Sequence, residues 1–312
     1  MENESVEKVE QRVRDIVTSP RLSSHLRRDS EAWHSLVAAL DAIGDTQLAI
    51  RYYLGQPERE RSDFGRSYLT VYGILQVLYV QQDAARTLAR RLNLKFKWPD
   101  EIRAVRSIRN LAIGHPTDSD QGSSAIARNS LTSTTFRMMV FPKGGTRSEF
   151  RRVDIPDLIQ RQMTEMSRLL GDVVERLMAD EREHRRAFRN RPLATILSQV
   201  SYALEKVGQG LRKPADAQLA GWGLEEVRAI AEETRRALGE RGAVEACKDS
   251  VGSTLAELEF VVRRLEERLA GGHNGWEEGD VDVYLRQLRT QLDELADLFK
   301  EIDERYASDD IR

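Results

Sequence analysis

The chain has 312 residues, 32% of them charged and 40% hydrophobic, with a net charge of −3. That length suffices for two domains with cores of their own, and the composition fits a helix-rich protein with long solvated faces. No apolar run approaches the ~20 residues of a membrane span, and the single cysteine, Cys247, excludes an intramolecular disulfide framework and a cysteine-based zinc site.

The first predicted element is a short charged helix over residues 3–17, ending before Ser19-Pro20. Its opening, MENESVEKVEQRVRD, lacks the apolar core of a secretory signal, so a cytoplasmic location is expected. Asp29 or Ser30 can cap a second helix that runs to Leu54, with Trp33, Leu36, Leu40, Ile43, Leu48 and Ile50 on its apolar face and a stop at Gly55 and Pro57. A third helix spans about Arg66 to Leu92. Its first half is apolar nearly all round, which predicts burial on several sides, with Tyr72 and Tyr79 in the core rather than free to stack on bases.

A fourth, short helix starts at Pro99, where a missing N–H costs nothing, and Asp100 and Glu101 suit the positive end of its dipole. Ile102, Val105, Ile108 and Ala112 share one face at helical spacing, and Arg109 falls inside the same arc. An arginine on a packing face is costly unless its charge is engaged. Residues 116–132, rich in Ser, Thr, Asp and Gly, read as a mobile loop. Two β-like runs follow, Thr134–Phe141 and Ser148–Ile155, and predict a hairpin at about 134–155.

A long helix is expected from Pro156 to Phe188. It ends in His184, Arg185, Arg186, Arg189 and Arg191, read first as cations at a helix C-terminus and second as an RNA-contact patch. Pro192 marks the expected boundary between domains at 1–191 and 192–312. Beyond it, steps of three and four define narrow seams at Leu193–Leu211, Leu255–Leu269 and Leu285–Ile302, with a turn at Gly271–Gly275 between the last two. These predict a helical hairpin or coiled-coil-like region, whose seams either associate with a partner or pack against each other. Residues 1–192 carry 32 lysines and arginines against 26 acidic residues, whereas 193–312 carry 16 against 25. A polyanion would therefore approach the front half. His25, His34, His184 and His273 share no metal-ligand spacing, His184 and His273 are expected at the surface, and Cys247 reads as an inert helix residue.

The segment Arg109-Asn110-Leu111-Ala112-Ile113-Gly114-His115-Pro116 closes the fourth helix. Two uses of it stand open at the level of residues. Arg109 can pair with a carboxylate such as Asp83 on the third helix while His115 caps the helix end. Alternatively, the fixed charge of Arg109 and the imidazole of His115 serve acid–base chemistry on an anion. An arginine followed by a polar residue, a short spacer and a histidine at a helix end resembles the HEPN superfamily, all-helical domains many of which cut RNA without a metal. Tyr72–Asp83, YGILQVLYVQQD, resembles the long helix that precedes the motif helix there; the likeness is clearest over Val71–Pro116.

The resemblance implies an all-α, HEPN-like bundle with a β-hairpin insertion, followed by the C-terminal helical region. It implies an endoribonuclease, a toxin or phage-defence effector, needing no cofactor or metal. His115 would move the proton of a ribose 2′-hydroxyl or of the leaving oxygen, Arg109 would hold the scissile phosphate, and Asn110 would orient a neighbour. Gln82 and Asp83 are expected as neighbours of that site. The family likeness further implies a homodimer sharing the motif, RNA as substrate, and a protein partner or antitoxin on the C-terminal helices. The alternative is the same fold as a non-catalytic binding or regulatory module acting through protein contacts.

Overall fold

The computed structural model describes residues 4–56, 63–95, 97–118, 122–145, 147–244, 247–271 and 279–308. Two compact units emerge: Met1–Thr18 with Leu26–Leu177, and Ser19–His25 with Met178–Arg312. The chain passes between them at Thr18–Ser19, at His25–Leu26 and, within one long helix, at Leu177–Met178, where no glycine or proline marks the division. No helix among the described residues is long and apolar enough to cross a membrane.

In the first unit, short polar side chains set the helix starts. Helix α1 (Val6–Val17) opens on Ser5, whose hydroxyl accepts from the Lys8 N–H at 3.4 Å. The short α2 (Pro20–Leu26) follows. Asp29 accepts from the Ala32 N–H at 2.9 Å and starts α3 (Ser30–Leu54). Asp63 does the same for Arg66 at 3.0 Å and starts α4 (Phe64–Arg91). Each bond satisfies one of the N–H groups a helix start leaves unpaired. Pro57, expected as part of the stop after α3, lies outside the described residues. The expected burial of α4 on several sides is not met within the chain. Its inner face, Val71, Ile74, Leu75 and Leu78, is buried, but Leu69, Tyr72 and Val80 are exposed, as is Leu48 on α3.

Three glutamines tie the helices together. Gln162 on α6 (Ile155–Arg189) donates to the Leu78 carbonyl and to Gln81 Oε1, both at 2.9 Å, and accepts from Gln82 Nε2 at 2.7 Å. Gln81 passes the chain on to Thr46 Oγ1 of α3 at 3.3 Å. All three are fully buried. A buried amide that has its partners fixes one register of α3, α4 and α6, because any slip would leave polar groups unpaired.

The expected hairpin is present as β2 (Thr135–Pro142) and β3 (Glu149–Asp154), antiparallel with Arg137 opposite Arg152 and Met139 opposite Phe150. The expected loop before it holds a third strand, β1 (Gly122–Ile126), on the other edge of β2. The fold is thus mostly helical with one small three-stranded antiparallel sheet, broadly consistent with the expected all-α class. Strand β1 starts at Gly122 with φ +108°, where a Cβ would lie 2.0 Å from the Phe141 carbonyl oxygen, so only glycine can stand there. Phe136, Met138, Val140 and Val153 turn inward and share one core with Val71, Leu75, Val105 and Leu111.

The second unit is helical throughout its described part. The predicted continuous helix from Leu193 is split into a 3₁₀ turn at Leu193–Leu197 and α7 (Val200–Arg212). The carboxylate of Asp303 accepts from the Leu193 and Ala194 N–H groups at 2.8 and 3.0 Å, and so caps that turn. Helix α8 (Ala217–Glu240), α9 (Ser253–Leu269) and α10 (Asp280–Ala307) complete the unit. Of the predicted turn at Gly271–Gly275, residues 272–275 lie outside the described ones. The leucine seams meet each other: Val207, Leu258, Leu265, Leu288, Leu295 and Phe299 belong to a single core.

Candidate functional site

Helix α5 (Asp100–Arg109) lays Ile102 and Val105 on the core and is followed by one π turn, Asn110–Gly114, closed by the His115 N–H on the Asn110 carbonyl at 2.7 Å. A π turn carries one residue more than the α-helical repeat and accommodates the extra residue within the turn itself. Leu111 and Ala112 stay buried. Gly114 is brought against the Arg109 side chain, where a Cβ would stand 2.6 Å from Nη1 and 3.3 Å from Asn110 Oδ1.

Arg109 is half-buried and held entirely by neutral groups. Its Nη2 donates to Gln76 Oε1 at 2.8 Å and its Nη1 to Asn110 Oδ1 at 3.1 Å, while the guanidinium carbon lies 4.1 Å from the centre of the Tyr79 ring. Its buried Nε has no partner among the described residues. The ring face attracts the cation without neutralising it. The expected pairing with Asp83 is not made. One helical turn earlier, Arg106 takes it at 2.9 Å, donates to the Tyr79 hydroxyl at 3.0 Å and also lies against that ring, at 4.3 Å. Tyr79, expected as core, is instead a platform for two guanidinium groups.

Asn110 joins the two ends of the motif, with its side chain on Arg109 and its carbonyl on the His115 N–H. The His115 side chain is exposed and has no hydrogen-bond partner among the described residues, so the helix-end cap is made by its backbone alone. Gln82 is not a neighbour of this site: it is fully buried in the glutamine chain between α4 and α6. Asp83 adjoins the site only through Arg106. Sequence reasoning missed Gln76, Tyr79, Arg106 and Gly114. Spacing could have found the first two, since Gln76, Tyr79 and Asp83 follow one another at steps of three and four along α4.

The remaining candidates fall elsewhere. A cavity of about 790 Å³ lined by Tyr52, Tyr53, Leu69, Gly73, Ile74 and Ser133 contains none of the motif residues. The basic end of α6 is largely occupied within the second unit: Arg185 donates to Glu181 and Arg189 to the Ala307 carbonyl, and Arg191 pairs with Glu240. His184, expected at the surface, is half-buried with Nε2 3.1 Å from the Tyr306 hydroxyl. Burial pushes the Cys247 thiol up, away from the reactive thiolate. Among the described residues no cluster of three or more His, Cys, Asp or Glu has metal-binding geometry. His273 lies outside them. No protein-family profile, curated protein or solved structure matches this chain.

Proposed function

We propose that the chain is a metal-independent endoribonuclease of HEPN type, working on RNA at Arg109, Asn110 and His115. The observation that carries this reading is the Arg109 guanidinium, half-buried on a tyrosine ring among neutral amides, with no carboxylate partner among the described residues. A fixed cation so placed is a receptor for an anion such as a phosphodiester. The exposed imidazole of His115 follows on the same π turn.

In the proposed reaction a ribose 2′-oxygen attacks the adjacent phosphorus and the P–O5′ bond breaks, leaving a 2′,3′-cyclic phosphate and a 5′-hydroxyl. One His115 takes the 2′ proton and a second, from another copy, supplies a proton to the leaving oxygen. Arg109 stabilises the charge that builds on the phosphoryl oxygens. A homodimer supplies the second histidine. The surface that suits it is the exposed side of α4, because residues 67–82 contain no charged side chain in a chain that is otherwise one-third charged. Leu69, 76% exposed, and Tyr72 and Val80 lie on that side beside Gln76, the partner of Arg109. A role as toxin or phage-defence effector, an antitoxin on the C-terminal helices and a cytoplasmic setting complete the reading.

A second reading is the same fold as a non-catalytic binding or regulatory module acting through protein contacts. It is favoured by the His115 side chain, which has no described neighbour to fix its tautomer. Incubation of purified protein with total RNA in the presence of a chelator, followed by mapping of the ends, separates the two. Cyclic phosphate ends that vanish with His115→Ala and with Arg109→Ala are expected, with losses of about 100-fold or more. Folded single variants that cut like the parent would overturn the site. RNA that is left intact by the folded parent protein would select the second reading.

A further inference from the structure

We infer that the outer face of the three-stranded sheet is a binding platform for single-stranded RNA, which stacks bases on Phe141 and Phe150 and holds phosphates on Arg137 and Arg152. This deepens the ribonuclease reading by adding a substrate-binding surface outside the motif, and it rests on that reading for the choice of RNA.

Strand alternation settles which side chains face outward. Phe136, Met138 and Val140 of β2 and Val153 of β3 are in the core, so Arg137, Met139 and Phe141 point the other way. Directly opposed residues of an antiparallel ladder share a face. Arg152 therefore joins Arg137, and Phe150 joins Met139, on the outer side. Phe141 is 43% exposed and Phe150 61%. Two open phenylalanines on one small sheet are costly in water.

The charge on the sheet points to the occupant. Residues 122–154 carry six basic side chains against two acidic ones: Glu149 is spent on Arg151 at 3.3 Å, and Asp154 accepts from the Asp157 N–H at 3.1 Å. Arg137 and Arg152 stand directly opposite each other, with no carboxylate on either among the described residues. Like charges in opposed positions repel, and a phosphate between them converts that repulsion into two charge-assisted bonds. Arg137 also lies 6.0 Å from the centre of the Phe150 ring, so cation and ring form one surface. Aromatic faces with interleaved guanidinium groups suit unpaired bases, whose flat faces are available, and do not suit a duplex, whose bases are already stacked.

The platform is fastened to the motif. Ser124 of β1 donates its N–H to the Pro116 carbonyl at 2.7 Å and its hydroxyl to the Leu111 carbonyl, inside the π turn, at 2.5 Å. Ser124 opposes Val140, so these bonds hold the motif on the core side of the sheet, and the platform and the motif share one frame without sharing a face.

The test is fluorescence anisotropy with an end-labelled single-stranded RNA of about 12 nucleotides and the same sequence as duplex RNA, using full-length protein carrying His115→Ala to prevent cutting. Phe141→Ala with Phe150→Ala should weaken single-strand binding at least tenfold and leave duplex binding nearly unchanged, and Phe→Tyr at both positions should restore it. Arg137→Gln with Arg152→Gln should weaken binding and lower the salt slope by about 1.4, the value for two phosphates on a single strand. Equal binding of single strand and duplex, or aromatic variants that bind like the parent, would overturn the platform. If the parent cleaves RNA while the sheet variants bind and cleave equally well, only the platform falls. If single strands bind through the sheet and nothing is cut, only the ribonuclease reading falls.

Discussion

At Gly114 one methyl group would decide where the Arg109 charge sits. The Cβ of an alanine would meet Nη1 at 2.6 Å, and the atom in the way is the far end of a flexible side chain rather than backbone. The fold can therefore absorb Gly114→Ala by moving the guanidinium. The change in stability should be within about 1 kcal/mol, because the gain from replacing a glycine offsets local crowding. Activity should fall about 100-fold, the scale of a misplaced catalytic group. Thermal unfolding and a cleavage assay on the same preparation check this; full activity would mean that the guanidinium position is immaterial. Arg109 was legible in the sequence as a charge that demands a use, because it falls inside an apolar arc, whereas Asn110 and His115 were singled out by the resemblance alone. The partner of Arg109 was not legible, since Arg106 and Arg109 lie one turn apart and helical phase alone cannot say which reaches Asp83. Gln82 was misread because glutamine is usually solvated, whereas here its amide nitrogen donates to Gln162 inside the core.

Among the elements, α4 carries the clearest consequence for assembly. Its exposed side joins Leu69, Tyr72, Gly73 and Val80, and Gly73 has open space above it, so a second helix can approach closely there. A neutral surface is its own complement, as a two-fold contact requires. Leu69→Lys with Tyr72→Lys should leave the chain folded, because both side chains are already exposed, and should shift it from dimer to monomer in analytical ultracentrifugation, with loss of cleavage. A dimer that persists would place the contact elsewhere. The helices themselves were largely readable: Asp29 stands where a cap must and Gly55 follows α3 as a stop, whereas the Asp63 cap, which starts α4 two residues before the expected Arg66, went unread. Strand β1 was missed because GSSAI has little strand propensity of its own and is made a strand by pairing with β2. Helix α8 has no strict heptad seam, since its buried face mixes Ala220, Gly223, Ala231 and Thr234 with larger residues. The 3₁₀ break after Leu193 depends on a carboxylate from α10, more than a hundred residues away, which no local pattern encodes.

For the molecule as a whole, the second unit makes stability depend on pH. The Arg241 guanidinium, 2% exposed, lies against the Phe188 and Tyr306 rings and donates to the Ala237 and Arg191 carbonyls. Burial, aided by the charge of Arg21, holds His184 below the ordinary histidine range. Its pKa is thus lower folded than unfolded, so the unfolded chain takes up the proton first, and stability is lost as pH falls through the unfolded value near 6.5. Burial raises Tyr306 to about 12, so the unfolded chain loses that proton first, and stability also declines as pH rises above 10. The unfolding midpoint of the full chain should fall on both sides, and His184→Gln should flatten the acid limb specifically. An unchanged acid limb would show that His184 contributes nothing to it. Charge asymmetry along the chain was readable from composition, but the burial of His184 was not, because a histidine amid arginines looks solvated.

The π turn between Asn110 and Gly114 also constrains how chain length can vary here. One residue inserted into a helix rotates everything beyond it by about 100°, and the widened turn absorbs that rotation locally instead of passing it on. Removing a residue from Leu111–Ile113 would let the helix close regularly, yet would carry Gly114 off the guanidinium and turn His115 to another side. Side-chain substitutions at these positions can be accommodated one by one, whereas a deletion changes the phase of the motif in a single step. The interval between arginine and histidine is therefore a structural quantity in its own right, as much a determinant of the site as the identity of either residue.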